Sequence, residues 1–359
     1  MRILQLINTL QAGGAETMGV HFANLLSEKI VLSALVSTRL EGSLKTKISA
    51  EVPFICLHKK SALDIFALRK LYSFVSKNKI QIIHAHGTTF FTAFLLKCIR
   101  PKTKIIYHEH FGNRVNESLK QNVFLVFCSY FFTEIVVVNF ELKNWFEKFI
   151  YRKKVTFLPN FALFYGNEIA QTLLKGILGK RIIMLANLKY PKNHFFVVKA
   201  FHEMKLAEDG WSLHLVGKIF NDNYFYEIEN FLENNQLSNS IYFYDSCSDI
   251  KNILSQANIG ILASTSEGFP VTILEYALMS LAVVSANIGF CSTIINNGIT
   301  GFLFNVNDSN SFKINLQKCI DNEDLRDRVA KNLNQYCNEN YSENIVIKKL
   351  INLYALNLT

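Results

Sequence analysis

The chain reads as an α/β protein with two doubly wound parallel sheets, and three observations predict it. Its 359 residues are about twice the length of an ordinary domain. Half of them are hydrophobic and only 19% are charged, the balance of a packed protein and not of a disordered one. Short β-branched runs alternate with amphipathic stretches of ten or more residues, which is the pattern of βαβ units. The alternation lapses once, after Pro159-Asn160, and then resumes.

In the first half, strands are predicted at Ile3–Asn8, Ile30–Val36, Val52–Leu57, Gln81–His86, Lys104–His110, Ile135–Asn139 and Val155–Leu158. Each is a short β-branched or aromatic run between turn-forming residues. Between the first two lies a helix whose Ala15, Met18, Phe22, Leu25 and Leu26 recur at helical spacing and make one apolar face. Residues 161–180 read as a linker region with one short helix. The second series has strands at Arg181–Asn187, Trp211–Gly217, Ile241–Asp245, Ile259–Ser264, Val283–Asn287 and Gly301–Phe304. The expected division is therefore 1–160, a linker at 161–180, 181–340, and a terminal helix over 341–359 returning to the first domain. In such sheets ligands bind beyond the carboxyl ends of the strands, so a site facing both halves is the default expectation.

The 38 Lys+Arg and 29 Asp+Glu leave a net charge of +9, unevenly spread. Residues 1–160 carry 22 basic and 10 acidic side chains, net +12, and residues 161–359 carry 16 and 19, net −3. An acidic partner is thus expected for the first half. Lys97, Arg100, Lys102 and Lys104 follow Phe90-Phe91, and Lys143, Lys148, Arg152, Lys153 and Lys154 surround Trp145-Phe146 and Phe149-Ile150-Tyr151. Cations interleaved with aromatics suit an anionic membrane surface, each worth about 1 kcal/mol near it. The alternative is an aromatic core beneath solvated cations. No nucleic-acid motif accompanies the charge, so no nucleic-acid partner is expected.

Seven cysteines without a C-x-x-C pair suggest reduced thiols and a cytoplasmic location, with peripheral attachment to the inner face of the membrane. Gln5 and Asn8 interrupt the apolar start, which suits a first strand better than a signal peptide. The run Val123–Phe132 is about half the length that spans a bilayer, so no transmembrane helix is expected.

The strongest chemical signal is Ser266-Glu267-Gly268-Phe269-Pro270-Val271-Thr272-Ile273-Leu274-Glu275. A strand ends, Gly268 permits a tight turn, and Pro270 suits a first helical position. The helix start offers N–H groups and a positive dipole end to a pyrophosphate. Glu275, five residues on from Pro270 and about 7.5 Å along the axis, is on the scale that reaches a ribose. Glu267, in the turn, faces what is attached beyond the phosphates. A capping Glu267 and a solvated Glu275 are the ordinary alternative. Gly13-Gly14-Ala15-Glu16 opens the first helix, where two glycines let the backbone approach a phosphate. It is neither the Gly-x-Gly-x-x-Gly fingerprint nor a P-loop, which disfavours hydride transfer and P-loop ATP hydrolysis. Lys189 and Lys192, in the loop that begins Ala186-Asn187-Leu188, are cations suited to a leaving diphosphate. His84 and His86 alternate on one strand, as do His108 and His110 near the end of another; on neighbouring strands the four could also converge on zinc.

In this order and spacing, with Ile82-Ile83-His84-Ala85-His86-Gly87, Leu158-Pro159-Asn160, Gly289 and Asn297-Gly298-Ile299-Thr300-Gly301-Phe302-Leu303, the segments resemble glycosyltransferase family 4. Those are retaining enzymes of the GT-B fold, with two Rossmann-like domains. The resemblance implies a nucleotide diphosphate sugar donor, UDP favoured over GDP as carrier, and a lipid-linked or glycan acceptor in cell-surface polysaccharide synthesis. It implies neither a metal nor a cofactor. By similarity the donor contacts are Gly13, Gly14, Asn187, Lys192, Gly268, Phe269, Pro270, Val271 and Glu275. Glu275 would hold the ribose, Lys192 the pyrophosphate, and Glu267 the sugar together with the 269–271 backbone. His110, with His108 as the fallback, matches the histidine beside the sugar, so the catalytic pair is His110 and Glu267. Asn187 stands where the family commonly has Arg, leaving Lys189 as a substitute, and Lys218 follows Gly217 where an acidic residue is common. Another GT-B nucleotide-sugar activity such as an epimerase, or a sugar-nucleotide scaffold without turnover, are the competing expectations.

Overall fold

A computed structural model describes residues 1–11, 13–150, 153–164 and 169–358. They form two compact units, Met1–Phe161 with Glu343–Thr359, and Ala162–Ser342. The first unit runs β1 (Arg2–Thr9), α1 (Gly14–Ser27), β2 (Leu32–Leu40), β3 (Phe54–Cys56), α2 (Ile65–Lys77), β4 (Ile82–His86), α3 (Phe90–Ile99), β5 (Lys104–Glu109), α4 (Leu119–Ser129), β6 (Glu134–Val137), α5 (Phe140–Phe149) and β7 (Val155–Phe157). Its sheet is parallel throughout, in the order β3-β2-β1-β4-β5-β6-β7.

The second unit runs β8 (Arg181–Leu185), α6 (His194–Glu203), β9 (Ser212–Val216), α7 (Asn223–Asn234), β10 (Ile241–Tyr244), α8 (Ile250–Ser255), β11 (Ile259–Leu262), α9 (Val271–Leu278), β12 (Ala282–Ala286), α10 (Cys291–Ile294), β13 (Phe302–Phe304), α11 (Ser309–Asp321) and α12 (Glu323–Tyr341). Its parallel sheet is ordered β10-β9-β8-β11-β12-β13. The last helix, α13 (Glu343–Leu358), belongs to the first unit, as expected of a returning C-terminal helix. The predicted α/β class with two parallel sheets is therefore the observed one.

In each sheet the strand order reverses direction once, at β1/β4 and at β8/β11. At such a switch point two neighbouring loops leave to opposite faces, and the carboxyl edge opens between them. The core supports this edge closely. Tyr276 of α9 is fully buried, receives the Leu185 N–H of β8 at 2.8 Å and donates to the Ile261 carbonyl of β11 at 3.1 Å. Gly260 on β11 is required there, because a Cβ would lie 2.5 Å from the Tyr276 ring. α9 is thereby fixed across the switch point.

Two expectations are corrected. No helix forms among the described residues of 161–180. The backbone N–H groups of Gln171 and Thr172 are taken by the buried Asp249 carboxylate at 2.8 and 2.7 Å, and that of Leu174 by Gln256, so partners from α8 and its flanks replace a helix's own carbonyls. The basic stretch around Trp145 is not an aromatic docking face either. Trp145, Phe146 and Ile150 are core, Lys154 pairs with buried Glu134 at 3.1 Å, and Lys153 donates to the Tyr130 and Phe132 carbonyls. Lys97 donates to the Thr103 carbonyl and Lys104 to that of Asn357. These cations serve groups at the ends of helices and strands, and Lys104 holds the end of α13. Tyr151 and Arg152 lie outside the described residues. Among the described residues no helix is long and apolar enough to cross a membrane.

Candidate active site

In the second unit, the loops after β8 and β11 flank the switch point and are joined there by polar contacts. Lys192 Nζ lies 2.5 Å from Glu267 Oε1, and the buried Ser264 hydroxyl donates to the same oxygen at 2.6 Å. Thr265 N–H donates to the Pro191 carbonyl at 2.9 Å. Gly289, at φ +47, closes the other side: a Cβ there would meet the Glu267 carbonyl at 2.2 Å. Glu267 is therefore a clamped carboxylate and not a helix cap, and Lys192 is brought directly against it.

α9 begins at Val271, so Pro270 is its cap position and not its first residue, and no side chain caps the helix. Glu275 is half-buried on the fifth helical residue. Phe269 is buried against Phe290, with ring centroids 5.1 Å apart, which fixes the Gly268–Pro270 turn from below. Asn187, where the family commonly has Arg, is engaged by its neighbouring loop: its side-chain oxygen accepts the Lys218 N–H at 3.1 Å. Gly217, at φ +144, permits that approach, since a Cβ would stand 2.3 Å from the Ala186 carbonyl. Lys189 lies over the Phe220 ring at 4.4 Å. Asn193 adopts the left-handed conformation that turns this loop into α6.

In the first unit, Gly13 caps α1 in an extended conformation without a side-chain partner. A Cβ on Gly14 would meet nothing within 4 Å among the described residues, so no contact there explains the glycine. Beyond β5, His110 is held by its neighbours. Buried Glu109 accepts the Phe111 N–H at 2.9 Å and the Tyr107 hydroxyl at 2.7 Å, and it pairs with Arg114.

β4 and β5 are adjacent, with His86 opposite His108 in register, and the four histidines do come together. Their rings stack, with centroids 4.6 Å apart for His84–His86, 5.1 Å for His84–His108 and 4.0 Å for His108–His110. Nitrogen atoms of His84, His86 and His108 fall within 4.8 Å of one another. A tetrahedral zinc with bonds near 2.0–2.1 Å needs them roughly 3.3 Å apart and aimed at one point. Here the His84 plane is within 24° of its neighbours' and both His86 nitrogens are already hydrogen-bonded, so the cluster suits a polar stack and not a metal. Burial holds His84 and His110 down at about 3 from an ordinary 6.5, and likewise lowers His86 and His108 well below it. All four are neutral near pH 7. Gln5 and Tyr354, which complete this stack, carried no motif that would have marked them in the sequence.

Two units of parallel α/β architecture, each with a site-forming carboxyl edge, define the GT-B class, and solved structures agree. The Anabaena protein HepE in complex with UDP and glucose matches over 99% of both chains with a TM-score of 0.83 at 15% identity. Sucrose-phosphate synthase from Thermosynechococcus elongatus matches over 99% of both at 0.79 and 13% identity. The family model for glycosyltransferase family 4 matches residues 12–162, and that for glycosyl transferases group 1 matches residues 171–336. This chain belongs to that glycosyltransferase family and is a transferase. It is 24% identical to the Escherichia coli UDP-Gal:alpha-D-GlcNAc-diphosphoundecaprenol alpha-1,3-galactosyltransferase, over 78% of this chain and 76% of the relative. It is also 24% identical, over 94% of both, to a Campylobacter jejuni alpha-1,4-N-acetyl-D-galactosaminyltransferase named for an undecaprenol diphosphate glycan.

The buried histidines set a pH dependence. Their folded pKa values lie below the unfolded 6.5, so the unfolded chain binds protons that the folded chain refuses. Stability is complete above about pH 6.5 and falls as pH drops toward 3, by up to about 1.4 kcal/mol per pH unit for each such histidine. Urea unfolding followed through Trp145 in a Trp211→Phe background should show a midpoint that declines steadily from pH 7 to 5. A flat midpoint over that range would show that the stack is protonated in the folded protein.

Proposed function

We propose that the chain is a retaining glycosyltransferase that moves a sugar from a UDP-sugar to a lipid-linked or glycan acceptor in cell-surface polysaccharide synthesis. The observation that carries this is the joining of Lys192 to Glu267, four residues before the uncapped start of α9, at the carboxyl edge of adjacent strands. A cation and helix N–H groups meet there beside a carboxylate, the combination a diphosphate and its attached sugar require. The two undecaprenol-linked relatives support the acceptor class, and the HepE complexes with UDP support the donor class.

In this assignment the diphosphate shares Lys192 with Glu267, Glu275 receives the ribose hydroxyls, and Glu267 with the 269–271 backbone orients the sugar. The bond from the anomeric carbon to the diphosphate oxygen breaks as the acceptor oxygen attacks the same face. The departing oxygen takes the acceptor's proton. The protein contributes position and a preorganised positive field. Lys192 and the start of α9 take the part a metal plays elsewhere.

In thermal shift, UDP-sugars should stabilise the protein more than GDP- or ADP-sugars and should do so equally in EDTA. Lys192→Met should raise the dissociation constant about tenfold or more, the loss of one charge-assisted hydrogen bond. Stabilisation by no nucleotide sugar would count against the whole assignment.

A lipid-linked acceptor places the enzyme on the inner face of the membrane, and one surface of the first unit suits it. On α4 and just beyond it Leu119, Val123, Phe127 and Tyr130 form an exposed stripe, with Val123 61% and Tyr130 69% accessible. Phe124 and Phe131 flank it and pack on Phe91 and Phe94 of α3. Exposed apolar side chains on a net-positive unit match an anionic bilayer. Flotation with phosphatidylglycerol liposomes should be salt-sensitive and should weaken severalfold in Val123→Glu/Phe127→Glu. Equal binding to neutral liposomes, or binding unchanged by the substitutions, would remove this surface from the account.

A further inference from the structure

The first unit contains one continuous chain of buried hydrogen bonds that ends at His110. Gln5 on β1 sits in register with His84 on β4 and is fully buried. Its side-chain N–H donates to the Tyr354 hydroxyl of α13 at 3.0 Å. Its carbonyl oxygen lies 2.9 Å from His86 Nε2. His86 Nδ1 in turn lies 2.9 Å from His110 Nε2, and the Tyr354 hydroxyl lies 2.6 Å from His84 Nδ1.

The polarity of this chain follows from what each group can do. An amide oxygen only accepts, so the proton of His86 is on Nε2. A neutral imidazole carries a single N–H, so His86 Nδ1 accepts, and His110 must donate from its own Nε2. His110 Nδ1 is then a bare lone pair, screened from solvent and without a hydrogen-bond partner among the described residues. On the other side Tyr354, having accepted from Gln5, gives its proton to His84 Nδ1. Turning the Gln5 amide over would reverse the donors along the chain and place the His110 proton on Nδ1.

We propose that Gln5, His86 and Tyr354 are positioning residues that hold His110 in its Nε2–H tautomer and reserve Nδ1 to accept a hydrogen bond from a hydroxyl of the donor sugar. This rests on the assignment of His110 to the sugar, and it adds what that assignment lacks: the form of the imidazole and the residues that set it. A buried acceptor left unpaired costs roughly 1–3 kcal/mol, which a ligand hydroxyl would recover. It also discriminates, because a site built to receive a hydroxyl rejects an analogue without one. The last helix of the chain is thereby linked to the chemistry through a single phenol. His108, tilted 33° to His110 with ring centroids 4.0 Å apart and both nitrogens buried without partners among the described residues, offers no competing hydrogen bond to that ring.

Long-range proton–nitrogen correlation NMR of the 15N-labelled full chain reads ring tautomers directly, with the His110 signals assigned by their loss in His110→Asn. The wild type should show His110 as Nε2–H. Tyr354→Phe and Gln5→Met, which break the chain with little change of volume, should convert it to a mixture containing Nδ1–H. In the same variants affinity for UDP-galactose and UDP-N-acetylgalactosamine should fall about three- to tenfold relative to affinity for UDP, which has no sugar. A wild-type His110 in the Nδ1–H form, or a tautomer unmoved by both substitutions, overturns the proposal; if the variants fail to fold, the wild-type tautomer decides. If the tautomer responds but His110→Asn leaves the UDP-sugar to UDP ratio unchanged, the relay stands and the assignment of His110 to the sugar falls.

Discussion

The second unit's site depends on one ion pair. Lys192 and Glu267 come from loops separated by 75 residues in sequence, and their contact joins the two ends of a switch point that the sheet alone leaves apart. Ser264 holds the carboxylate, Gly289 leaves room for the Glu267 backbone carbonyl, the Thr265–Pro191 bond joins the two loops, and Tyr276 fixes the helix behind them. With Lys192 about one-third exposed and Glu267 mostly covered, the pair is screened less than a surface bridge. An anion that approaches Lys192 must compete with Glu267 for one cation.

The first unit solves a different problem. Four imidazoles, a glutamine and a tyrosine are buried in one layer, where polar groups without partners are costly. Half of the eight imidazole nitrogens find hydrogen-bond partners inside the layer, and the neutral state of the histidines avoids burying charge. In the same unit Lys153 and Lys154 meet two carbonyls and a buried carboxylate between α4 and β6. What remains exposed and apolar is the outer face of α4, with Leu119, Val123 and Phe127.

Most of the fold was legible because parallel strands buried on both faces write themselves as β-branched runs, and turn residues punctuate them. The His-x-His spacing on two strands likewise foretold a shared face. Three things were not legible. Gln5 and Tyr354 are hundreds of residues apart and carry no local pattern, so only the packing of α13 reveals their bond. The basic aromatic stretch 143–154 has the same composition whether its rings face lipid or core, and the core takes Trp145 and Phe146. Glu267 and Lys192 could each be marked as chemical residues, yet nothing in either segment states that they touch.

The most direct measurement is a double-mutant cycle on donor affinity, with Lys192→Met, Glu267→Gln and both together, using isothermal titration with UDP-galactose and UDP-N-acetylgalactosamine. If the two side chains act as one unit on the donor, the double variant should lose less than the sum of the singles, with a coupling of at least about 1 kcal/mol. Losses that add within about 0.5 kcal/mol, or single variants that bind as tightly as the wild type, would contradict it.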